Sequence, residues 1–342
     1  MPELRRNLAT GEWIIAAPER AKRPDQFIKE AAARKRVPRH AAECPFCEGH
    51  EEQAPGEVFA IREKGSKPNG RGWEVRVIPN KFPALVPSEV SGLNAYRSRV
   101  GIYLRIEGVG NHEVIIETPD HQLSICTMPV AQVEKVITTY KERYLTLDRN
   151  PDNELIIIFR NHGERAGTSL PHPHSQLVTC PIVPNSVRNR MLEGVRYYDE
   201  TGMCVYCDMV AFEVREVHRV VAENDDFVAL CPYASSVPYE MWIIPRRHQA
   251  SFGEIERREQ HGLAAILREV LGRLHQALND PDYNYVIHTA PHHSATVPHY
   301  HWHLQITPRL TTPAGFEIGS GISINITLPE QSAKHLREAA EV

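Results

Sequence analysis

At 342 residues, with 42% hydrophobic and 24% charged side chains, the chain can bury one large core or two ordinary ones. A net charge of −4 supplies no field to draw it onto nucleic acid, and its longest apolar run, residues 155–159, is far short of the ~20 residues that a membrane span needs. The opening residues, MPELRRNLATGEWIIAAPER, hold no apolar secretory core, so the expected location is the cytoplasm.

Taken in chain order, one set of elements occurs twice. The first C-x-x-C, Cys44 and Cys47 in ECPFCEG, is followed by a strand-like run, EVIIETPDHQ, that ends in Pro119 and His121. A helix is expected over 129–147, where apolar residues recur three and four apart. A strand over 154–161, a glycine-bearing loop, and a last strand over 172–181 that carries His172, His174 and Gln176 complete the unit. The second copy has Cys204 and Cys207, the run EMWIIPRRHQ with Pro245 and His248, and an amphipathic helix over 254–278. Strands over 283–289 and 301–308 follow, the latter with His301, His303 and Gln305. Two α+β units are expected, residues 1–190 and 191–342, each an antiparallel sheet with a helix packed across it. The basic segment 30–43 and the turn-rich segment 63–72 are expected at the surface.

Seven cysteines with two C-x-x-C pairs point to metal binding or redox chemistry in a reducing compartment. Zinc takes four Cys or His ligands in a tetrahedron. Each unit offers two thiolates on one knuckle, a histidine from the turn after a strand, and a histidine from the last strand. The sets are Cys44, Cys47, His121 and His172, and Cys204, Cys207, His248 and His301. One zinc is expected per repeat. Four protein ligands leave no open position, so both sites are expected to be structural. A thioredoxin-like role needs a helix N-terminus after a strand, which the prolines and aromatics around the first pair do not suggest. Cys126, Cys180 and Cys231 lie in apolar surroundings and are expected in the core.

On a strand with period two, His172, His174 and Gln176 share one face. Pro171 and Pro173 cannot donate to a ladder, so this end of the strand must lie at an edge or flare away. With His172 held by metal, His174 is left as a free imidazole. Before it runs NHGERAGTSLP, in which Gly163 and Gly167 permit tight turns and Asn161, Thr168 and Ser169 supply small polar groups. Such a loop suits a phosphate cradled by N–H donors. A neutral imidazole can attack phosphorus, and the Gln176 amide can bond a non-bridging oxygen as charge builds there.

The run NHGERAGTSLPHPHSQ, together with CPFC and TPDH, resembles galactose-1-phosphate uridylyltransferase, a two-repeat branch of the histidine-triad superfamily. The likeness covers most of the chain. It implies ping-pong transfer of a nucleotidyl group from UDP-glucose to galactose 1-phosphate through a covalent nucleotidyl-histidine at His174. It also implies that Asn161, Ser169 and Gln176 hold the α-phosphate, and that Asn80, in VIPNKFPAL, lies near the nucleoside. Arg20 and Arg23, in APERAKRP, match phosphate-binding arginines that act across the interface of a homodimer. Phe316, in AGFEIGSGISIN, falls in the segment that reads the sugar.

The chain departs from that pattern in three places. Arg190 stands where some members place a glutamate of a second metal site. Ser320 and Gly321 stand where Tyr and Glu are found in the sugar-reading segment. The motifs AGFEIGSG and YNYVIHTAP and the paired C-x-x-C resemble instead the plant-type ADP-glucose phosphorylase branch, which runs the same covalent chemistry on an adenine nucleotide with inorganic phosphate as acceptor.

The sequence argues against two other classes. A small histidine-triad hydrolase has three alternating histidines, whereas Gln176 takes the third place here. A zinc-bearing binding module without catalysis is argued against by the charge balance and by the lack of a basic stripe interleaved with aromatics.

Overall fold

A computed structural model describes residues 1–20, 38–92 and 95–339. Strands β1 (Glu3–Arg6) and β2 (Trp13–Ala16) precede β3 (Phe59–Arg62), β4 (Trp73–Pro79) and the short helix α1 (Ser88–Ser91). A hairpin of β5 (Arg97–Val100) and β6 (Tyr103–Ile106) leads to β7 (His112–Ile116), α2 (Val130–Leu147), β8 (Leu155–His162) and β9 (His174–Cys180). Helices α3 (Asn185–Thr201) and α4 (Val205–Glu216) link to β10 (Val220–Glu223), β11 (Phe227–Leu230) and β12 (Met241–Pro245). The chain ends with α5 (Arg257–Leu278), β13 (Tyr283–His288), β14 (His303–Pro308), α6 (Gly315–Ser320), β15 (Ser323–Asn325) and α7 (Pro329–Glu338).

The two repeats share one sheet. Ten strands run in the order β3-β4-β7-β9-β8-β13-β14-β12-β11-β10, antiparallel at every step, so the second five mirror the first. The seam is β8 on β13, with Asn161 opposite Asn284. Pairing there removes two exposed strand edges, which explains why the units form one surface and not two sheets.

Strand alternation assigns the faces. On β7 and β9, Ile115 and Leu177 enter the core under α2 and α5, where Val133, Val136, Ile137 and Tyr140 meet Ile266, Val270 and Leu274. The three- and four-residue spacing of that stripe is the amphipathic signal seen in the sequence, and each buried aliphatic contributes about 1.5–3 kcal/mol. Val114, Ile116 and His174 face the other way, towards the Cys44–Cys47 knuckle. The helix expected from residue 254 begins at Arg257, after a 3-10 turn over Phe252–Glu254. The Glu259 carboxylate takes the Glu256 N–H at 2.7 Å, which sets that start. Helices α3 and α4 stand out by no pattern in the sequence; Cys204 immediately precedes α4 and Cys207 lies in its first turn. Among the described residues no helix is long and apolar enough to cross a membrane.

Candidate active site

The first four-residue cluster is assembled from three separate segments. Cys44, Cys47, His121 and His172 are all buried, with their donor atoms within 4.8 Å of one another. His172 Nδ1 lies 3.7 Å from both Cys44 Sγ and Cys47 Sγ, His121 Nδ1 lies 3.4 Å from Cys47 Sγ, and the two imidazole nitrogens are 3.1 Å apart. Zinc–ligand bonds of about 2.0–2.3 Å arranged tetrahedrally give edges of roughly 3.3–3.8 Å, so the donor set fits that ion. The tautomer fits as well. His172 Nε2 donates to the Thr118 carbonyl at 2.8 Å, which leaves the Nδ1 lone pair for a metal. Burial lowers the His172 pKa to about 4 and raises that of the Cys44 thiol to about 11, so a cation is needed to hold that sulfur as thiolate.

The second cluster repeats the design. Cys207 Sγ lies 3.4 Å from His248 Nδ1 and 3.6 Å from His301 Nδ1, and Cys204 completes the set. It is more open than the first, with His248 exposed and Cys207 half-buried.

The strand expected over 172–181 begins only at His174. The prolines explain this. Residues 171–173 leave the ladder, although the Pro173 carbonyl still accepts the Glu117 N–H at 3.1 Å. His172 therefore turns into the Cys/His cluster while His174 stays on the sheet. His174 Nδ1 donates to the His172 carbonyl at 2.8 Å, so Nε2 carries the lone pair. His174 is 7% exposed, and its burial lowers the pKa and keeps the ring neutral. Phe46, between the two cysteines, packs edge-on against it with ring centroids 5.5 Å apart. The cluster thus orients the nucleophile candidate twice, through the carbonyl of His172 and through the Phe46 ring between Cys44 and Cys47.

His174 opens onto a cavity of about 660 Å³ whose lining includes Phe46, Asn80, Ser169 and Gln176. Asn161 and Gly163 do not line it, but they shape the loop that does. The Asn161 carbonyl accepts the Thr168 hydroxyl at 2.6 Å, and its side-chain oxygen accepts from Asn284 at 2.7 Å. Gly163 has φ +87°, and a Cβ there would fall 2.2 Å from Asp282 Oδ1, whose partner oxygen takes the Arg165 N–H at 2.8 Å. Only glycine fits that turn.

Two expected residues do not reach this cavity. Arg20 is exposed at the end of a 3-10 turn, and Phe316, on α6, is 52% exposed; neither lines it. Arg23 lies outside the described residues.

The galactose-1-phosphate uridyl transferase N-terminal domain matches residues 1–184 and the C-terminal domain matches residues 192–342. The chain belongs to the galactose-1-phosphate uridyl transferase family. It is a nucleotidyltransferase by that membership. ADP-glucose phosphorylase of Arabidopsis thaliana is 36% identical to it over 99% of this chain and 93% of the relative. Galactose-1-phosphate uridylyltransferase of Thermotoga maritima is 30% identical over 99% of this chain and 98% of the relative. The crystal structure of the Arabidopsis ADP-glucose phosphorylase with bound ADP-glucose superposes with a TM-score of 0.84 at 34% identity and full coverage of both chains.

In this member of the family two residues around the site carry no motif signal: Phe46, which lines the cavity, and His112, which bonds Gln176. The apolar pattern marks a strand only from residue 113, whereas β7 begins at His112. Alternation back from Val114 would have put it on the site face, but only the pairing of Val114 with Gln176 reveals what it meets.

Proposed function

We propose that the chain transfers a nucleotidyl group from a nucleoside diphosphate hexose to a phosphate-bearing acceptor, through a covalent intermediate on His174. The observation that carries this is the bond from His174 Nδ1 to the His172 carbonyl, which aims an unprotonated Nε2 at the cavity. The Nε2 lone pair attacks the α-phosphorus, the bond from that phosphorus to the β-phosphate oxygen breaks, and hexose 1-phosphate leaves. An oxygen of the acceptor phosphate then attacks, the P–N bond breaks and the imidazole recovers its lone pair. Ser169 and Gln176 bond the α-phosphate oxygens, with the Asn161–Gly163 turn shaping the loop around them, and Asn80 meets the nucleoside. The two clusters hold zinc, which binds the knuckles to the sheet and contributes to folding without an open coordination position. Arg20 and Arg23 serve the site across the interface of a homodimer, which accounts for Arg20 lying outside the cavity of its own chain, and Phe316 belongs to the segment that reads the sugar. The units are residues 1–190, with the nucleophile, and 191–342, as scaffold, and the enzyme works in the cytoplasm.

The donor has two readings. UDP-glucose with hexose 1-phosphate as acceptor agrees with the name of the family and of the Thermotoga relative. ADP-glucose with inorganic phosphate agrees with the Arabidopsis relative, which shares 36% identity and a TM-score of 0.84. Incubation with each nucleotide sugar alone, acid-free quenching and intact-mass measurement separates them: an added UMP supports the first and an added AMP the second. The adduct should map to His174 and vanish in His174→Gly with metal content unchanged. No adduct from either donor, or an adduct elsewhere, overturns the covalent reading.

A further inference from the structure

The same glutamine stands in both repeats, but its amide points in opposite directions. Gln176 faces Val114 across β7 and β9, and Gln305 faces Trp242 across β12 and β14. Two residues before those partners, at matching places, stand His112 and Glu240. In the first repeat His112 Nδ1 accepts the Ala84 backbone N–H at 3.1 Å. A backbone N–H can only donate, so the His112 proton is on Nε2. That N–H donates to Gln176 Oε1 at 2.8 Å. Asn80 is turned the same way. Its Oδ1 accepts the Phe82 N–H at 2.9 Å, and its Nδ2 reaches Gln176 Oε1 at 3.5 Å and stands 3.1 Å from His112 Nε2. Two donors converge on the glutamine oxygen, so its NH₂ is turned away from them. Among the described residues that NH₂ has no partner, and Gln176 lines the cavity beside His174.

In the second repeat the polarity is reversed. Gln305 Nε2 donates to Glu240 Oε1 at 2.8 Å, and Gln305 Oε1 faces His288 Nε2 at 2.7 Å. Glu240 also takes the indole N–H of Trp242 at 2.8 Å and the Ser236 N–H at 2.6 Å, so it acts only as an acceptor. One of the two Gln305 N–H groups is thereby committed to the Glu240 carboxylate. His303, in the place of His174, is closed between Trp242 and Tyr206, with ring centroids 4.7 and 4.9 Å away.

The geometry points to His112 as the positioning residue of the nucleotidyl transfer, holding the Gln176 amide with its N–H groups towards the reacting phosphate. This rests on the covalent reading of His174 given above. A donor at 112 leaves both Gln176 N–H groups for the phosphate, whereas the acceptor at the matching position takes one Gln305 N–H for itself. His112 touches no reacting atom itself.

The test is quench-flow measurement of adduct formation with ADP-glucose and UDP-glucose, on the full-length protein and three variants. His112→Glu imposes the polarity of the second repeat, because a carboxylate there accepts from Ala84 and draws in the Gln176 NH₂. The rate of adduct formation should fall by about 10²- to 10³-fold, the loss typical of one removed oxyanion donor, with the apparent donor KM within a few-fold. His112→Gln can still accept from Ala84 and donate to Gln176, so it should keep most of the rate. His112→Leu, which removes the donor without adding an acceptor, should fall between them and covers the case in which His112→Glu does not fold. Metal content and melting temperature of each variant are measured alongside. A His112→Gln as slow as His112→Leu, or a folded His112→Glu as fast as the unsubstituted protein, overturns the positioning role. Absence of any adduct in the unsubstituted protein instead overturns the covalent reading, and the positioning role with it.

Discussion

Removing the Glu117 carboxylate should expose how much the site depends on a buried ion pair beneath it. Glu117 and Arg160 are 0% and 2% exposed, and Arg160 Nε bonds the two carboxylate oxygens at 2.9 and 3.1 Å. Ser175, next to the nucleophile candidate, gives its hydroxyl to the same carboxylate and meets Tyr140, whose hydroxyl lies 2.6 Å from that of Tyr285. In Glu117→Leu a guanidinium remains buried with only the Tyr283 hydroxyl, at 3.2 Å, as its side-chain partner. Breaking a buried pair from one side costs about 3–5 kcal/mol, chiefly through the uncompensated charge. Unfolding entropy of roughly 2.1 cal/mol/K per residue amounts to about 0.7 kcal/mol/K over 342 residues, so the melting temperature should drop by about 4–7 °C. The double variant Glu117→Leu, Arg160→Leu should recover most of that loss, since apolar replacement of a whole buried pair is close to neutral. Thermal melts followed by circular dichroism, at fixed metal and protein concentration, give both numbers. A single variant that melts within about 1 °C of the unsubstituted protein refutes the argument, as does a double variant that melts lower than the single one.

Two further outcomes follow from the clusters and charges. Cys44→Ala should lose one metal equivalent and soften the first repeat, because its thiolate is one of four donors packed within 4.8 Å; elemental analysis and a melt show both, and full metal content would reject the role. His275 has its pKa raised to about 10, first by the Asp280 carboxylate, whose Oδ1 lies 3.3 Å from His275 Nδ1, and then by Cys126. A raised folded value means that the stabilisation is complete below the unfolded value, near 6.5, and is lost as pH climbs towards 10. Urea midpoints should therefore decline across that window, and Asp280→Asn should flatten the decline; equal slopes in the two proteins would count against the pair.

Local pattern carried much of this protein. Two C-x-x-C pairs, two amphipathic stripes and two histidine-bearing strands in the same order made the repeats readable, because ligand spacing and helical or strand periodicity are short-range properties of a chain. The donor clusters followed, since each needed only residues that the repeat lines up. Beyond that range the sequence was silent. It had no signal for the β8–β13 seam that joins ten strands into one sheet, nor for a strand that starts at His174 and sends His172 into the Cys/His cluster. Arg20 and Phe316 look adjacent to the site by motif, yet stand off from the cavity in the folded chain. The direction of the Gln176 amide is decided by His112, 64 residues away, and by a backbone N–H at Ala84. A residue type names which atoms can donate and accept, whereas which of them face a substrate depends on strand pairing, and pairing is a long-range fact that only the tertiary structure contains.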